Sequence, residues 1–156
     1  MAGRKEELFR AAATQLEPLP GVVELVKALA GAGWRQGIGS SAPLANIRLL
    51  LSVTGLADYM QAIASGEDVT RGKPDPEVFL LTFERLGVAS RNGVVIEDAP
   101  AGVRSGKSSG AACLAVTTTQ CAETLRDAGA DLVVSTLEGI SVGRLEELVL
   151  AQRSRS

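Results

Sequence analysis

The chain has 156 residues, enough for one domain with a buried core, and its 46% hydrophobic and 22% charged residues are typical of a soluble globular protein. A formal net charge of -2 argues against nucleic acid as a partner, which would require a strongly basic surface. The absence of histidine excludes histidine-ligated metals and Ser-His-Asp or Cys-His catalysis. Any catalysis must therefore use carboxylates, lysine or hydroxyls.

Helical and strand-like segments alternate along the sequence. The hydrophobic pattern predicts helices over 4–16, 22–32, 44–53, 77–86, 100–109, 122–128 and 142–151, and strands over 34–39, 61–64, 94–97, 112–116 and 132–134. This alternation predicts a doubly wound α/β fold: a mostly parallel sheet with right-handed crossovers and helices on both faces. Residues 152–156 are predicted to be a frayed tail.

No apolar run approaches the roughly 20 residues of a membrane span, and the amino terminus lacks the apolar core of a signal peptide. We therefore expect a cytoplasmic protein that does not contact a membrane. The number and positions of the two cysteines also fit the cytoplasm, where disulfides are rare. Cys113 lies in an apolar run and Cys121 comes just before a helix, so both are predicted to be structural and unpaired.

Polar side chains follow three of the predicted strands, at the point where each strand ends. Ser40 and Ser41 precede a helix, where hydroxyls and backbone N–H groups can hold a phosphate. Lys73 follows the next strand, on a loop fixed by two prolines, and could neutralise a phosphoryl oxygen. Glu97 and Asp98 end the third strand, and two adjacent carboxylates suit Mg²⁺.

Each of these residues also has a structural explanation. Ser40 could cap the helix that follows it, Lys73 could be a solvated loop charge, and the two acids could cap the next helix. The residues follow neighbouring strands at one edge of the predicted sheet. If none of them had a functional role, all three structural explanations would have to be correct at the same edge. The combination favours a site for a phosphate and Mg²⁺.

Three stretches of sequence resemble motifs two, three and four of the haloacid dehalogenase (HAD) superfamily. They are GIGSS at 37–41, GKPDPEVF at 72–79 and VVIEDAPAGVRSGKSSG at 94–110. The segments LEPLPGVVELVKALAGAGW and DAGADLVVSTLEGI extend the resemblance over nearly the whole chain. It is closest to the phosphatase and β-phosphoglucomutase-like branch, which has a Rossmann-like core.

The resemblance implies a role for each candidate residue. Ser40 would hydrogen-bond the transferring phosphoryl group, with help from the backbone N–H of Ser41, and Lys73 would neutralise its charge. Glu97 and Asp98 would hold Mg²⁺, directly or through water. The implied activity is phosphate monoester hydrolysis or phosphoryl transfer on a small phosphorylated metabolite.

The family's first motif, an apolar strand ending in D-x-D, is not found in these 156 residues. That motif supplies the aspartate nucleophile and the general acid and base. Residues 1–17 resemble the last helix of the family's cap and 18–151 its core, so we expect a truncated and inactive chain. The family's central first strand would be missing, so we expect the strand over 34–39 to pair directly with 94–97, or two copies to exchange a segment as a homodimer.

Two alternatives remain open. Residues 101–108 differ from the G-x-x-x-x-G-K-S pattern of a nucleotide-binding P-loop only at Ala101. The other alternative keeps the fold and drops the reaction, leaving a module that binds phosphate, Mg²⁺ or a partner protein.

Overall fold

The computed structural model describes residues 20–155, which form alternating helices and short strands. The predicted helix over 4–16 and the cap remnant at 1–17 lie outside these residues. The helices are α1 (Val22–Gly31), α2 (Leu44–Thr54), α3 (Glu77–Leu86), α4 (Pro100–Ser108), α5 (Ala122–Asp127) and α6 (Val142–Arg155). The strands are β1 (Gly37–Gly39), β2 (Ala62–Ala64), β3 (Val94–Glu97), β4 (Ala112–Val116) and β5 (Leu132–Val134).

The strands of residues 20–155 pair in parallel and lie in two sheets. One sheet has the order β1-β2 and the other the order β3-β4-β5. Parallel strands bring their carboxyl ends to the same edge of a sheet, so the loops that follow them converge. These loops carry the candidate site residues.

Side chains of β3 and β4 alternate between two apolar clusters, because successive residues of a strand point to opposite faces. Val94 and Ile96 pack in a cluster with apolar residues of α1, α2 and α6. Val95, which lies between them, packs with residues of α3, α4 and α5. The prediction of an α/β fold with parallel strands and helices on both faces is confirmed.

The prediction that β1 pairs directly with β3 is wrong. The two strands belong to separate sheets, although Ile38 of β1 and Val94 of β3 share one apolar cluster. Backbone hydrogen bonds join β1 to β2 and β3 to β4. Within residues 20–155 the two sheets contact each other through side chains of the shared apolar cluster and not through a backbone ladder. The other expectation, an exchange of segments between two copies, stays a prediction.

Within residues 20–155 the predicted element bounds agree with the structure to within one residue, except at two places. The strand expected over 34–39 starts only at Gly37, because the Trp34 N–H donates to the Leu29 carbonyl at the end of α1 (3.0 Å). The expected frayed tail is helical as far as Arg155, because Gln152 bonds to the Lys107 side chain and the Gly110 carbonyl, and Arg155 bonds to Asp131. None of the helices within residues 20–155 is long and apolar enough to cross a membrane.

The cysteines are free, as predicted. Cys113 is buried in β4, where burial raises the pKa of its thiol. Cys121 is exposed at the start of α5, and its hydrogen bond with the Thr124 hydroxyl lowers the pKa of its thiol.

Candidate functional site

Lys73 connects the carboxyl ends of the two sheets. Its Nζ forms an ion pair with Glu97 Oε2 at the end of β3 (2.6 Å) and donates to the carbonyl of Gly39 at the end of β1 (3.4 Å). The ammonium also lies 4.7 Å from the centre of the Phe79 ring. Lys73 is therefore held by three contacts at the sheet edge, and the explanation of a solvated loop charge does not apply.

The loop that carries Lys73 is braced from both sides. Asp75 accepts a hydrogen bond from the Glu77 N–H at the start of α3 (2.9 Å), and its carbonyl accepts one from the Ser105 hydroxyl of α4 (2.7 Å). The Glu77 carboxylate in turn accepts from the N–H groups of Thr70 and Arg71, and these bonds lower the pKa of Glu77. The sequence favours this local structure because an aspartate and a proline come directly before the helix.

Glu97 is almost completely buried, with 3% of its surface exposed. Burial raises the pKa of its carboxyl, and the Lys73 ammonium opposes that shift. The helix behind it leaves room only for glycine, since a Cβ on Gly102 would lie 2.1 Å from Glu97 Cδ. The carboxylate is thus fixed between Lys73 and α4.

Asp98 is held by the loop after β4. The Thr118 hydroxyl donates to Asp98 Oδ2 (3.0 Å), and the Thr119 hydroxyl donates to the Asp98 carbonyl (3.1 Å). The N-cap of α4 is Ala99, and no side chain hydrogen-bonds at that cap. The explanation of Glu97 and Asp98 as helix caps therefore fails.

Ser40 and Ser41 lie on the turn between β1 and α2. Ser40 is buried, its N–H donates to the Ala64 carbonyl (3.0 Å), and its Oγ accepts from the Ala42 N–H (3.1 Å). Ser41 is exposed. The Ser40 hydroxyl thus shapes the turn and does not cap α2, whose first N–H, that of Leu44, donates to the Glu67 carboxylate instead (2.7 Å).

The carboxylates present fit Mg²⁺ better than a metal that needs a complete protein cage. Residues 20–155 contain no group of three or more His, Cys, Asp or Glu side chains that could hold a metal ion. Mg²⁺ is commonly bound by one or two carboxylates, with water and substrate phosphate as its remaining ligands. Glu97 and Asp98 at one strand end match that donor set.

The P-loop alternative is contradicted by the structure. A P-loop lies before a helix, with its lysine at the phosphate, whereas residues Pro100–Ser108 form the helix α4 itself. Lys107 lies in the last turn of that helix and bonds to Asp131 (2.8 Å) and Gln152 (2.7 Å). It points away from the edge where Lys73 and Glu97 meet.

Sequence reasoning missed the residues that hold the site in place: Phe79, Gly102, Thr118 and Thr119. The two threonines carried only a weak signal, because they come shortly after β4, and hydroxyls after a strand are common. Phe79 and Gly102 carried no such signal. An aromatic residue and a glycine are common on buried helix faces, and their role is visible only once their neighbours in the structure are known.

Comparison with known proteins connects this arrangement to a family. Residues 4–116 match the haloacid dehalogenase-like hydrolase family. Hexitol phosphatase A of Escherichia coli is 37% identical over 91% of this chain and 69% of its own length. The phosphorylated carbohydrates phosphatase of Thermotoga maritima is 34% identical over 67% of the chain and 49% of its own length.

A solved structure shows the same fold. The β-phosphoglucomutase of Clostridium difficile superposes with a TM-score of 0.77 at 27% identity, over 88% of this chain and 58% of its own. The chain thus spans roughly half to two thirds of the length of these proteins. It belongs to the haloacid dehalogenase-like hydrolase family, in its phosphatase and phosphoglucomutase branch.

Proposed function

We propose that this chain provides the phosphate-binding and Mg²⁺-binding part of a phosphohydrolase or phosphomutase site. In this proposal Ser40, the backbone N–H of Ser41 and Lys73 bind the phosphoryl group. Glu97 and Asp98 hold Mg²⁺, either directly or through water. When bound, Mg²⁺ would supply a positive charge that stabilises negative charge on phosphoryl oxygens.

The observation that supports this proposal most is the position of Lys73. Its ammonium contacts the carbonyl of Gly39, the residue before Ser40, and the carboxylate of Glu97, the residue before Asp98. One cation therefore lies between the proposed phosphate-binding turn and the proposed metal-binding carboxylates. Phosphoryl transfer depends mainly on such positioning and on charge stabilisation.

The names of two relatives support a proposal for the substrate class. One relative is a hexitol phosphatase and another is a phosphatase of phosphorylated carbohydrates. We infer a small phosphorylated metabolite as the ligand, with its phosphate at Ser40 and Lys73. These two residues recognise the phosphate and do not select the rest of the molecule.

We also infer that the 156 residues bind this ligand without turning it over. No D-x-D sequence occurs among them, so they lack the pair of aspartates that serves the family as nucleophile and general acid and base. Lys73 and Ser40 can orient a phosphate and neutralise its charge, but neither replaces that nucleophile.

Binding is tested by titrating inorganic phosphate into the protein in the presence of MgCl₂, with calorimetry as the readout. We expect Lys73→Met to weaken phosphate binding at least tenfold, whereas Lys107→Met, at the far end of the sheet, should bind as the wild type does. Equal affinity in wild type and Lys73→Met would refute the proposed role of Lys73.

Turnover is measured separately, with p-nitrophenyl phosphate and MgCl₂. The expected result is no hydrolysis above the rate in buffer. Mg²⁺-dependent hydrolysis that disappears in Asp98→Asn would show that the chain finds a nucleophile by another route, and it would overturn the inference of binding without turnover.

We further propose that two copies of the chain exchange a segment, which fills the place of the family's first strand between β1 and β3. It is supported by the separation of these strands into two sheets while their side chains share one apolar cluster. Light scattering after size-exclusion chromatography should then give the mass of a dimer, and a monomer at all concentrations would refute the exchange.

A further inference from the structure

We propose that Thr118 and Thr119 are positioning residues that set the affinity of this chain for its cation by fixing Asp98. The inference rests on the proposed Mg²⁺ site. It adds the loop after β4 to that site and predicts its effect on the dissociation constant for Mg²⁺.

The two threonines hold different parts of one residue. Thr118 donates its hydroxyl to the carboxylate of Asp98 (3.0 Å), and Thr119 donates to the main-chain carbonyl (3.1 Å). Asp98 is 2% exposed, whereas both threonines are exposed in the loop. Hydroxyls that could bond to water are instead directed at a buried acid.

The threonine loop is itself anchored to the sheet. The N–H of Thr117, the first residue after β4, donates to the Val134 carbonyl at the end of β5 (2.9 Å), which continues the β4–β5 ladder by one bond. On its other side β4 pairs with β3 up to Glu97 and Ala115. The backbone just before Thr118 is therefore held by the sheet, close to Asp98.

This geometry bears on cation binding because a carboxylate at a strand end can rotate about its Cβ–Cγ bond. A hydrogen bond to one oxygen restricts that rotation, so less conformational freedom is lost when a cation binds. Mutation of such supporting residues around metal ligands typically weakens metal affinity 10- to 100-fold. Since Thr118 is exposed, we expect the lower end of that range.

The experiment titrates MgCl₂ alone into the full 156-residue chain, without phosphate, and measures the dissociation constant by calorimetry. Thr118→Val is expected to bind Mg²⁺ about tenfold more weakly. Thr118→Ser keeps the hydroxyl and should bind within about twofold of wild type by the same reasoning. Thr119→Val should lose less than Thr118→Val, because its hydroxyl contacts the carbonyl and not the carboxylate.

The matched control is Thr54→Val, in which the lost hydroxyl donates to the Leu50 carbonyl inside α2 (2.8 Å). It should leave Mg²⁺ binding unchanged. The melting temperature without metal separates a positioning role from a structural one, since Thr118→Val should leave it close to that of wild type.

The outcomes separate the two proposals. If the wild type binds Mg²⁺ and Thr118→Val binds it equally well, the threonine inference is wrong and the Mg²⁺ site stands. Equal weakening in Thr118→Ser and Thr118→Val would also overturn the inference, since the hydroxyl would then not be the cause. If the wild type binds no Mg²⁺, the proposed metal site is wrong and the inference falls with it.

Discussion

Two lysine–carboxylate pairs lie at opposite ends of the β3-β4-β5 sheet and differ in burial. At the carboxyl ends, Lys73 and Glu97 are 2.6 Å apart with 10% and 1% of their side chains exposed. At the amino ends, Lys107 and Asp131 are 2.8 Å apart with 23% and 16% exposed. The same chemical pair therefore exists in a nearly dry and in a partly solvated form within one sheet.

The partners of the two carboxylates differ as well. Asp131 also accepts from the Cys113 N–H (2.8 Å) and from Arg155 (2.9 Å), and Gln152 bonds to Lys107 as well. This network ties the end of α4, the start of β4 and the end of α6 together. The Lys73 pair instead joins the ends of two separate sheets. We therefore expect the loss of either of its members to lower the free energy of unfolding more than the loss of Lys107 does.

The largest effect is expected from Lys73→Met. Removing the cation leaves the Glu97 carboxylate buried without its charge partner, which typically costs about 3–5 kcal/mol of the free energy of unfolding. Urea denaturation of wild type and variant measures this loss. The double variant Lys73→Met with Glu97→Gln removes both charges and should regain a substantial part of it, because a neutral pair is easier to bury.

A contradiction would be a loss below about 1 kcal/mol for Lys73→Met, the value of an exposed ion pair. The comparison between the two ends of the sheet would then fail. A double variant no more stable than Lys73→Met would show that packing, and not the buried charge, explains the loss.

The second effect comes from Gly102→Ala, which disturbs the wall behind Glu97. The new Cβ would overlap the Glu97 carboxylate, which Lys73 holds from the other side. Overpacking of this kind typically costs about 1–3 kcal/mol, and urea denaturation measures it. The control is Gly31→Ala at the exposed end of α1, where the new Cβ has no atom within 4 Å other than those of its chain neighbours and the backbone of its own helix.

Gly31→Ala should be neutral or stabilising by up to about 1 kcal/mol, since alanine favours helix. Equal effects of the two substitutions would mean that Glu97 moves without cost. In that case the carboxylate is less firmly held than its contacts with Lys73 and Gly102 indicate.

These contacts also show what the sequence could predict. Short apolar runs followed by polar residues are a local pattern, and they located the strand ends and with them Ser40, Lys73, Glu97 and Asp98. The ion pair of Lys73 with Glu97 could not be predicted, because 24 residues separate the two and their contact depends on how distant parts of the chain pack. Thr118 and Thr119 follow a strand too, but a hydroxyl after a strand is too common to single out.

Pairing between strands is the least predictable feature. Three-residue strands such as β1 carry little information about their neighbours, since Gly37, Ile38 and Gly39 offer a single large side chain. The prediction of a frayed tail is wrong for a related reason. The last helix continues to Arg155 because Gln152 and Arg155 bond to distant residues, Lys107 and Asp131, which no local pattern reveals.

The third effect, smaller than the first two, is expected from Lys107→Met. Asp131 keeps the Cys113 N–H and Arg155 as donors, and both side chains of the pair are partly solvated. We expect a loss of about 1 kcal/mol in urea denaturation and no change in the binding of phosphate or Mg²⁺. A loss as large as that of Lys73→Met would mean that the partners of Asp131 do not compensate for one another.

The smallest effect extends the series to an exposed pair, Asp68 with Arg85, whose charged atoms are 3.2 Å apart and whose side chains are 30% and 40% exposed. Hydrogen bonds from the Ser65 N–H, then from Arg85 and the Ser65 hydroxyl, lower the pKa of Asp68 from 3.8 to about 2. A carboxyl with a lower pKa in the folded protein stabilises it above pH 4, and this contribution disappears as the pH falls towards 2.

We therefore compare the melting temperatures of wild type and Asp68→Asn at pH 6 and at pH 2.5. Wild type should be slightly more stable at pH 6, and the difference should shrink at pH 2.5, where Asp68 begins to bind a proton. A difference that stays constant between the two values would show that the charge of Asp68 does not contribute. Because solvent screens an exposed pair, 0.5 M NaCl should reduce the difference at pH 6, whereas the loss caused by Lys73→Met in the buried pair should persist in salt.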